Sequence, residues 1–241
     1  TDLIVDAPLV ISTCVLKMQP GKKIFIQTGQ TLTIFSTKIY CCTAMWKGIE
    51  LGWSSGVEIS GNSIIEDAEY ALKAFSWSAI NVSYTRFNRN FVGIGLNVPS
   101  ASATNLSMVF MTLGDGVSFE CASPLNSGYS GQSPQPTQYS AAGIFMNASY
   151  QTDFTTGTQG ACLFKDQLNG IVALGSYVGI DNCKFDNIIL KGNTASTNNF
   201  SINTSVSDIT GGNGVYTEGG VLVQSGFGKT STASFNDCQN Y

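Results

Sequence analysis

The chain contains no histidine in its 241 residues. That removes Ser-His-Asp hydrolysis and His-ligated zinc from the chemistry these residues can perform. Charge is sparse as well: Asp, Glu, Lys and Arg make up 12% of the chain, with a formal net charge of −4. No Lys/Arg cluster is present to neutralise phosphates, so a nucleic-acid partner is not expected. No apolar run approaches the roughly 18 residues of a helical membrane span. Seven cysteines (Cys14, Cys41, Cys42, Cys121, Cys162, Cys183 and Cys238) leave at least one unpaired within the chain, and none shows metal-type Cys-x-x-Cys spacing. No cofactor is expected; Ca²⁺ is the cation its acidic turns would suit, and no spacing demands it.

What recurs is a frame. Phe87-Asn88-Arg89-Asn90-Phe91-Val92-Gly93-Ile94-Gly95-Leu96 carries a large apolar residue, a polar turn, then a Gly-apolar step and an alternating strand. Ile65 to Ala71-Leu72, Phe110 to Gly116-Val117 and Phe164 to Gly170-Ile171 repeat it, and looser copies begin at Phe185 and Phe235. Taken as a ruler, the steps at Gly48, Ala71, Gly93, Gly116, Gly143, Gly170, Gly192 and Gly214 lie 22 to 27 residues apart. A period in this range marks a stacked solenoid, in which one unit cannot bury its apolar face alone. The Leu-x-x-Leu-x-Leu ladder of a leucine-rich repeat is missing. The units are rich in Val, Ile, Phe, Thr, Ser, Asn and Gly, and Ile94/Leu96, Val117/Phe119 and Ile144/Met146 alternate with period 2. The reading is all-β: a right-handed parallel β-helix in one domain over 1–241, with rungs of about 22–27 residues.

Residues 1–45 are expected to form opening rungs or a cap. Residues 122–142 contain Pro124, Pro134 and Pro136, which exclude a central strand. This stretch is expected to be a long projecting loop, where Tyr129 and Tyr139 would stack on sugars or a partner. Cys121 and Cys162 flank it and are the disulfide expected first. Trp46, Trp53 and Trp77 are expected in the core or at rung edges. The start at Thr1 and the stop at Tyr241 in mid-rung lead us to expect a fragment of a longer polypeptide.

Met45-Trp46-Lys47-Gly48-Ile49, then Ile65-Glu66-Asp67-Ala68, then Phe87-Asn88-Arg89-Asn90-Phe91-Val92-Gly93-Ile94 together resemble the pectate-lyase-like β-helix repeats of large secreted and cell-surface Bacteroidetes proteins of the type IX secretion type. The resemblance is good over residues 20–96 and stays in phase beyond. It implies a β-helix, a secreted or cell-surface address and an adhesin-like role, and carries over no catalytic residues, because the matching positions are turn and core positions. Low charge with abundant Ser, Thr, Asn and Gly points to the same extracellular address.

Glu66, Asp67 and Glu69 form the densest acidic cluster. In an extended chain Glu66 and Asp67 point to opposite sides, which suits neither a glycosidase pair nor a shared metal. Stacking would bring Asn88, Arg89 and Asn90 beside Asp67, as a salt bridge with an Asn ladder or as a lyase-like site with Arg86 or Arg89 as base. Asp181 and Asp186 flank Cys183 as another cation candidate, and Asp115 and Asp166 fall in turns. Sequons stand at Asn81, Asn105, Asn147, Asn199 and Asn203. The expected function is a non-enzymatic extracellular structural or adhesin-like module, such as a stalk, surface-protein or fibre segment. Its partners would be further domains of the same polypeptide, identical subunits end to end, or a polysaccharide. The alternatives are a polysaccharide lyase or glycoside hydrolase of the pectate-lyase-like type, and a carbohydrate-binding module using Tyr129, Tyr139, Trp53 or Trp77.

Overall fold

A computed structural model describes residues 1–75, 77–96, 107–133, 135–136, 138–147, 149–150, 162–180, 183–189, 211–219, 221–224 and 234–236. Among them all regular structure is β, and every strand pair is parallel. No helix is long and apolar enough to cross a membrane.

The strands fall into four sheets. Sheet A holds Leu3–Val5, Lys23–Ile26, Gly48–Leu51, Tyr70–Ala74, Val92–Leu96, Ala142–Asn147, Asn169–Leu174 and Asn213–Glu218. Sheet B holds Leu9–Ser12, Thr31–Phe35, Gly56–Ser60, Ala79–Val82 and Phe110–Leu113. Sheet C holds Val15–Lys17, Lys38–Tyr40, Ser63–Glu66, Thr85–Asn88, Ser118–Glu120, Cys162–Gln167, Cys183–Ile188 and Ser234–Asn236. Sheet D (Ser107–Met108, Ser149–Tyr150, Tyr177–Ile180, Val221–Gln224) begins where sheet B ends. Over residues 1–88 the chain visits A, B and C in strict rotation, and each strand pairs with its counterpart one circuit later. Residues 1–40 make the first two circuits rather than a separate cap.

Register explains the Gly-apolar step. Ile24, Ile49, Leu72, Ile94, Ile144, Ile171 and Val215 form one column through sheet A. Gly116-Val117 is not in it: Val92–Leu96 pairs directly with Ala142–Asn147, and Gly116-Val117 leads into sheet C instead. The circuit from Ile94 to Ile144 therefore takes 50 residues and that from Ile171 to Val215 takes 44, where shorter rungs were expected. The Phe110 frame fails for the same reason. Phe119, not Phe110, stands in register with Phe87.

The core is built from the inward half of each alternating strand. Leu32/Ile34, Val57/Ile59, Ile80/Val82 and Met111/Leu113 of sheet B are all buried, as are Ile49/Leu51 and Ile94/Leu96 of sheet A. On sheet C the inward column is Leu16, Ile39, Ile65, Phe87, Phe119, Phe164 and Phe185. Its last four rings stack with centroids 5.0, 5.0 and 4.9 Å apart and planes within 10°, each contact contributing about 0.5–1.5 kcal/mol beyond burial. This ladder dictates the glycines. A Cβ on Gly93 would lie 2.4 Å from Phe119 Cδ1, and on Gly143 or Gly170 2.5 Å from the rings of Phe164 and Phe185. Each glycine makes room for the ring of the following circuit. Gly48, at φ 101, is tighter still: its Cβ would fall 1.5 Å from the Tyr70 carbonyl oxygen.

Candidate functional site

The turn after sheet C collects the chemistry. Its position directly after the Glu66, Asn88, Glu120, Lys165 and Asp186 register is held by Asp67, Arg89, Cys121, Asp166 and Asn187, and all of these but Cys121 have positive φ, between 51 and 62. Asn and Asp tolerate this left-handed conformation; an arginine there is unusual and needs its surroundings to hold it. Here those surroundings are ionic. Arg89 Nη2 donates to Asp67 Oδ2 at 3.2 Å and lies 3.5 Å from Glu66 Oε2. Lys38 Nζ reaches Glu66 Oε2 at 2.8 Å, and Asn88 Nδ2 donates to Glu66 Oε1 at 2.8 Å.

Glu66 and Asp67 thus share one arginine, although an extended chain would point them apart. The φ of 62° at Asp67 breaks the strand alternation and turns its carboxylate to the same side as that of Glu66. The Asn ladder lies beside them: Asn90 accepts from Ala68 N–H at 2.9 Å and donates to the Ile65 carbonyl at 2.8 Å. Burial pushes the Asp67 carboxyl up from 3.8 to about 6, against the pull of Arg89 and with a push from Glu66. Burial pushes Glu66 up too, but hydrogen bonds from Lys38 and Asn88 and the charges of Lys38 and Arg89 outweigh it, leaving Glu66 below its ordinary value. Two carboxyls pushed in opposite directions are the pattern of an acid/base pair. Access decides against that role: Asp67 is fully buried and Glu66 is 4% exposed.

The groove lies elsewhere. A surface depression of about 180 Å³ at the corner between sheets B and C is lined by Asn62, Ser63, Ile64, Tyr84, Thr85, Arg86 and Gly116. Arg86 is exposed there, but no carboxylate lines the depression. Among the described residues no three Cys, Asp or Glu side chains converge to hold a metal ion. Asp166 accepts from Asn187 Nδ2 at 2.6 Å, and Asp186 lies 3.9 Å from Lys184. Asp181, Cys238 and the sequon asparagines Asn105, Asn199 and Asn203 fall outside the described residues.

Glu69 belongs to a different contact, and it corrects the expectation of a projecting loop. The described part of 122–141 folds back as a strap over the turns that lead into sheet A. Asn126 Nδ2 donates to the Cys41 carbonyl at 3.1 Å and Met45 N–H donates to the Ser127 carbonyl at 2.8 Å. Tyr129 Oη donates to Glu69 Oε2, Lys47 Nζ lies 5.7 Å from the centre of the Tyr129 ring, and Gly21 leaves room for that ring. Leu125 and Tyr129 pack on a second apolar cluster that includes Met45, Tyr70, Phe91 and Phe145. Burial pushes Glu69 above its ordinary value, moderated by the Tyr129 hydroxyl and by Lys73 and Lys47. Tyr129 is therefore anchored rather than presented for stacking, and Tyr139 is half-buried beside Ser140, whose Oγ donates to the Asn90 carbonyl. Proline excluded a strand here, but no local pattern betrays partners 60 to 108 residues away.

The Cys121–Cys162 bridge is not formed; both thiols are free. Register gives the reason. Ser118 pairs with Leu163 and Glu120 with Lys165, so Cys162 starts its strand while Cys121 follows the end of the other. Four residues at about 3.3 Å each separate them along the strands, beyond disulfide reach. Cys162 instead stands in register with Cys183, both buried.

The tryptophans divide. Trp46 is fully buried, its Nε1 donating to the Glu66 carbonyl at 2.7 Å. Trp53 and Trp77 are 58% and 51% exposed, in the turns that lead from sheet A into sheet B, where period-2 alternation says nothing about side. Phe110 and Met108 continue this exposed row, and Trp77 meets Phe110 at a centroid distance of 6.3 Å, tilted by 51°. Comparison with protein-family models, curated proteins and solved structures finds no match for this chain.

Proposed function

We propose that the chain is a right-handed parallel β-helix acting as a non-enzymatic, extracellular structural or adhesin-like module of a larger secreted or cell-surface protein, of the kind its resemblance to Bacteroidetes repeat proteins implies. The observation that carries this reading is the separation of carboxylates from space. The Glu66 and Asp67 carboxylates are buried and held by cations, whereas the Arg86 groove has no carboxylate in its lining. Lyase or hydrolase chemistry needs both in one place. The parallel ladders support a stiff module, since each circuit hydrogen-bonds to the next, and exposed strand edges favour end-to-end partners.

A second reading, a carbohydrate-binding module, is favoured by the exposure of Trp53 and Trp77. Electron microscopy of native material, with the intact mass of the parent polypeptide, tests the first reading. Elongated particles, or a parent mass far above 25.6 kDa, would support it. A discrete monomer of that mass that depolymerises a polysaccharide would overturn it.

A further inference from the structure

We propose that the outer face of sheet B, with the aromatic row at its border, binds a neutral polysaccharide. The proposal rests on the carbohydrate-binding reading above and names its surface and its ligand class.

Three independent features converge on this face. The first is charge. The five strands of sheet B contain no Lys or Arg and one acid, Glu58, whereas strands of sheets A and C carry Lys23, Lys73, Lys17, Lys38, Arg86, Lys165 and Lys184. The second is the aromatic row. Trp53, Trp77 and Phe110 border consecutive strands of the sheet and are each more than half exposed. Exposing large rings costs solvation free energy that burial would recover, so three of them bordering neighbouring strands, with Trp77 and Phe110 in ring contact, mark a contact surface. Trp77 does so from a left-handed backbone at φ 63, a conformation a bulky residue rarely adopts. The third is the adjoining polar column. Thr33, Glu58, Asn81 and Thr112 stand in register on the outward side of sheet B, one per circuit; Glu58, Asn81 and Thr112 are exposed and Thr33 is half-exposed.

A pyranose has just these two aspects: an apolar C–H face that lies on an indole or phenyl ring, and a rim of hydroxyls that donate and accept hydrogen bonds. The row supplies rings; the column supplies a carboxylate, an amide and hydroxyls. Repetition at the strand spacing of about 4.8 Å suits a polymer lying along the stack rather than a single sugar. Charge sets the class. A polyuronate or sulfated glycan would meet the Glu58 carboxylate with no cation on this face to pair with, so the ligand is uncharged.

The test is a titration followed by tryptophan fluorescence, with cellohexaose, xylohexaose and mannohexaose as neutral probes and hexagalacturonate as the charged one. Trp46 is buried and gives a constant background, so a ligand-dependent shift reports Trp53 and Trp77. At least one neutral hexasaccharide is expected to shift the emission and hexagalacturonate is not. Trp77→Ala and Trp53→Ala should each weaken binding by about tenfold or more. Because both rings are exposed, the variants should keep the wild-type circular dichroism and melting temperature, and Tyr129→Phe should bind as wild type. Four outcomes would overturn the proposal: no neutral probe bound at millimolar concentration, hexagalacturonate bound equally well, wild-type affinity in the double tryptophan variant, or sedimentation showing self-association that the double variant abolishes, which would assign the face to a second copy of the chain. The three binding outcomes do not bear on particle length or parent mass, and self-association through this lateral face leaves the parent mass untouched, so the structural reading stands or falls separately.

Discussion

The molecule has a closed side and an open side, and both are made of the same kind of residue. On sheet C the aromatic column Phe87, Phe119, Phe164 and Phe185 is buried to within 1% and stacked ring on ring. At the border of sheet B, Trp53, Trp77 and Phe110 flank consecutive strands at differing offsets and are each more than half exposed. What separates them is phase. The phenylalanines sit mid-strand, where alternation commits them inward, and a glycine in sheet A makes room for each of the last three rings. Trp53 and Trp77 sit in turns, where nothing commits them, and Phe110 opens its strand on the outward side of the alternation. Periodic aromatics in stacked parallel sheets therefore report the repeat, and their place relative to the strand reports whether they serve stability or contact.

The comparison can be broken most severely from the inside. Phe119→Ala leaves a gap between two stacked rings and should destabilise the fold by about 3–5 kcal/mol, read from urea melts. A cost near zero would mean that the ladder is not packed as described. The ionic lock gives the next effect, through pH. The carboxyl of Asp67 is raised from 3.8 to about 6, so between these values the native state binds the proton that the unfolded state has released, and stability falls as pH rises. Asp67→Asn removes this dependence. From pH 4 to pH 7 the stability difference between variant and wild type should move in the variant's favour by up to about 3 kcal/mol. Parallel melting curves across that range would sink the assignment.

Tyr129→Phe strips the half-buried Glu69 carboxylate of its hydroxyl donor and should cost about 1–3 kcal/mol. It should also speed proteolytic cleavage between Leu125 and Ser140. On the open side, Trp77→Ala should change stability by less than about 0.5 kcal/mol. A larger loss would move Trp77 into the closed class and remove the contrast.

Much of the fold was legible because it depends on local alternation. The steps at Gly48, Ala71, Gly93, Gly143 and Gly170 mark true sheet A strands, and the large apolar residue six positions before Ala71, Gly93 and Gly170 marks sheet C at Ile65, Phe87 and Phe164. Gly116-Val117 mimicked the step because a turn glycine followed by Val, at φ 67, also precedes a strand, though one of the wrong sheet. The site was less legible. Stacking of Arg89 on Asp67 follows from the repeat, but the left-handed turn that gathers Glu66 and Asp67 does not, since it defeats the rule that neighbours on a strand diverge. The strap and the free thiols at Cys121 and Cys162 lay beyond reach because both depend on how far the 50-residue circuit between Ile94 and Ile144 travels before rejoining the stack.

That strap has a mechanical consequence. In a stack joined only to nearest neighbours, a pull along the axis is borne in series, and the weakest circuit yields first. Contacts from Asn126 and Ser127 to Cys41, Thr43 and Met45 connect the end of one circuit to turns three circuits upstream. They place a second load path in parallel with the sheets between, so a tug on those turns is shunted directly to the segment after Cys121. The span from Cys41 to Ala142 should therefore yield to force as one block rather than circuit by circuit.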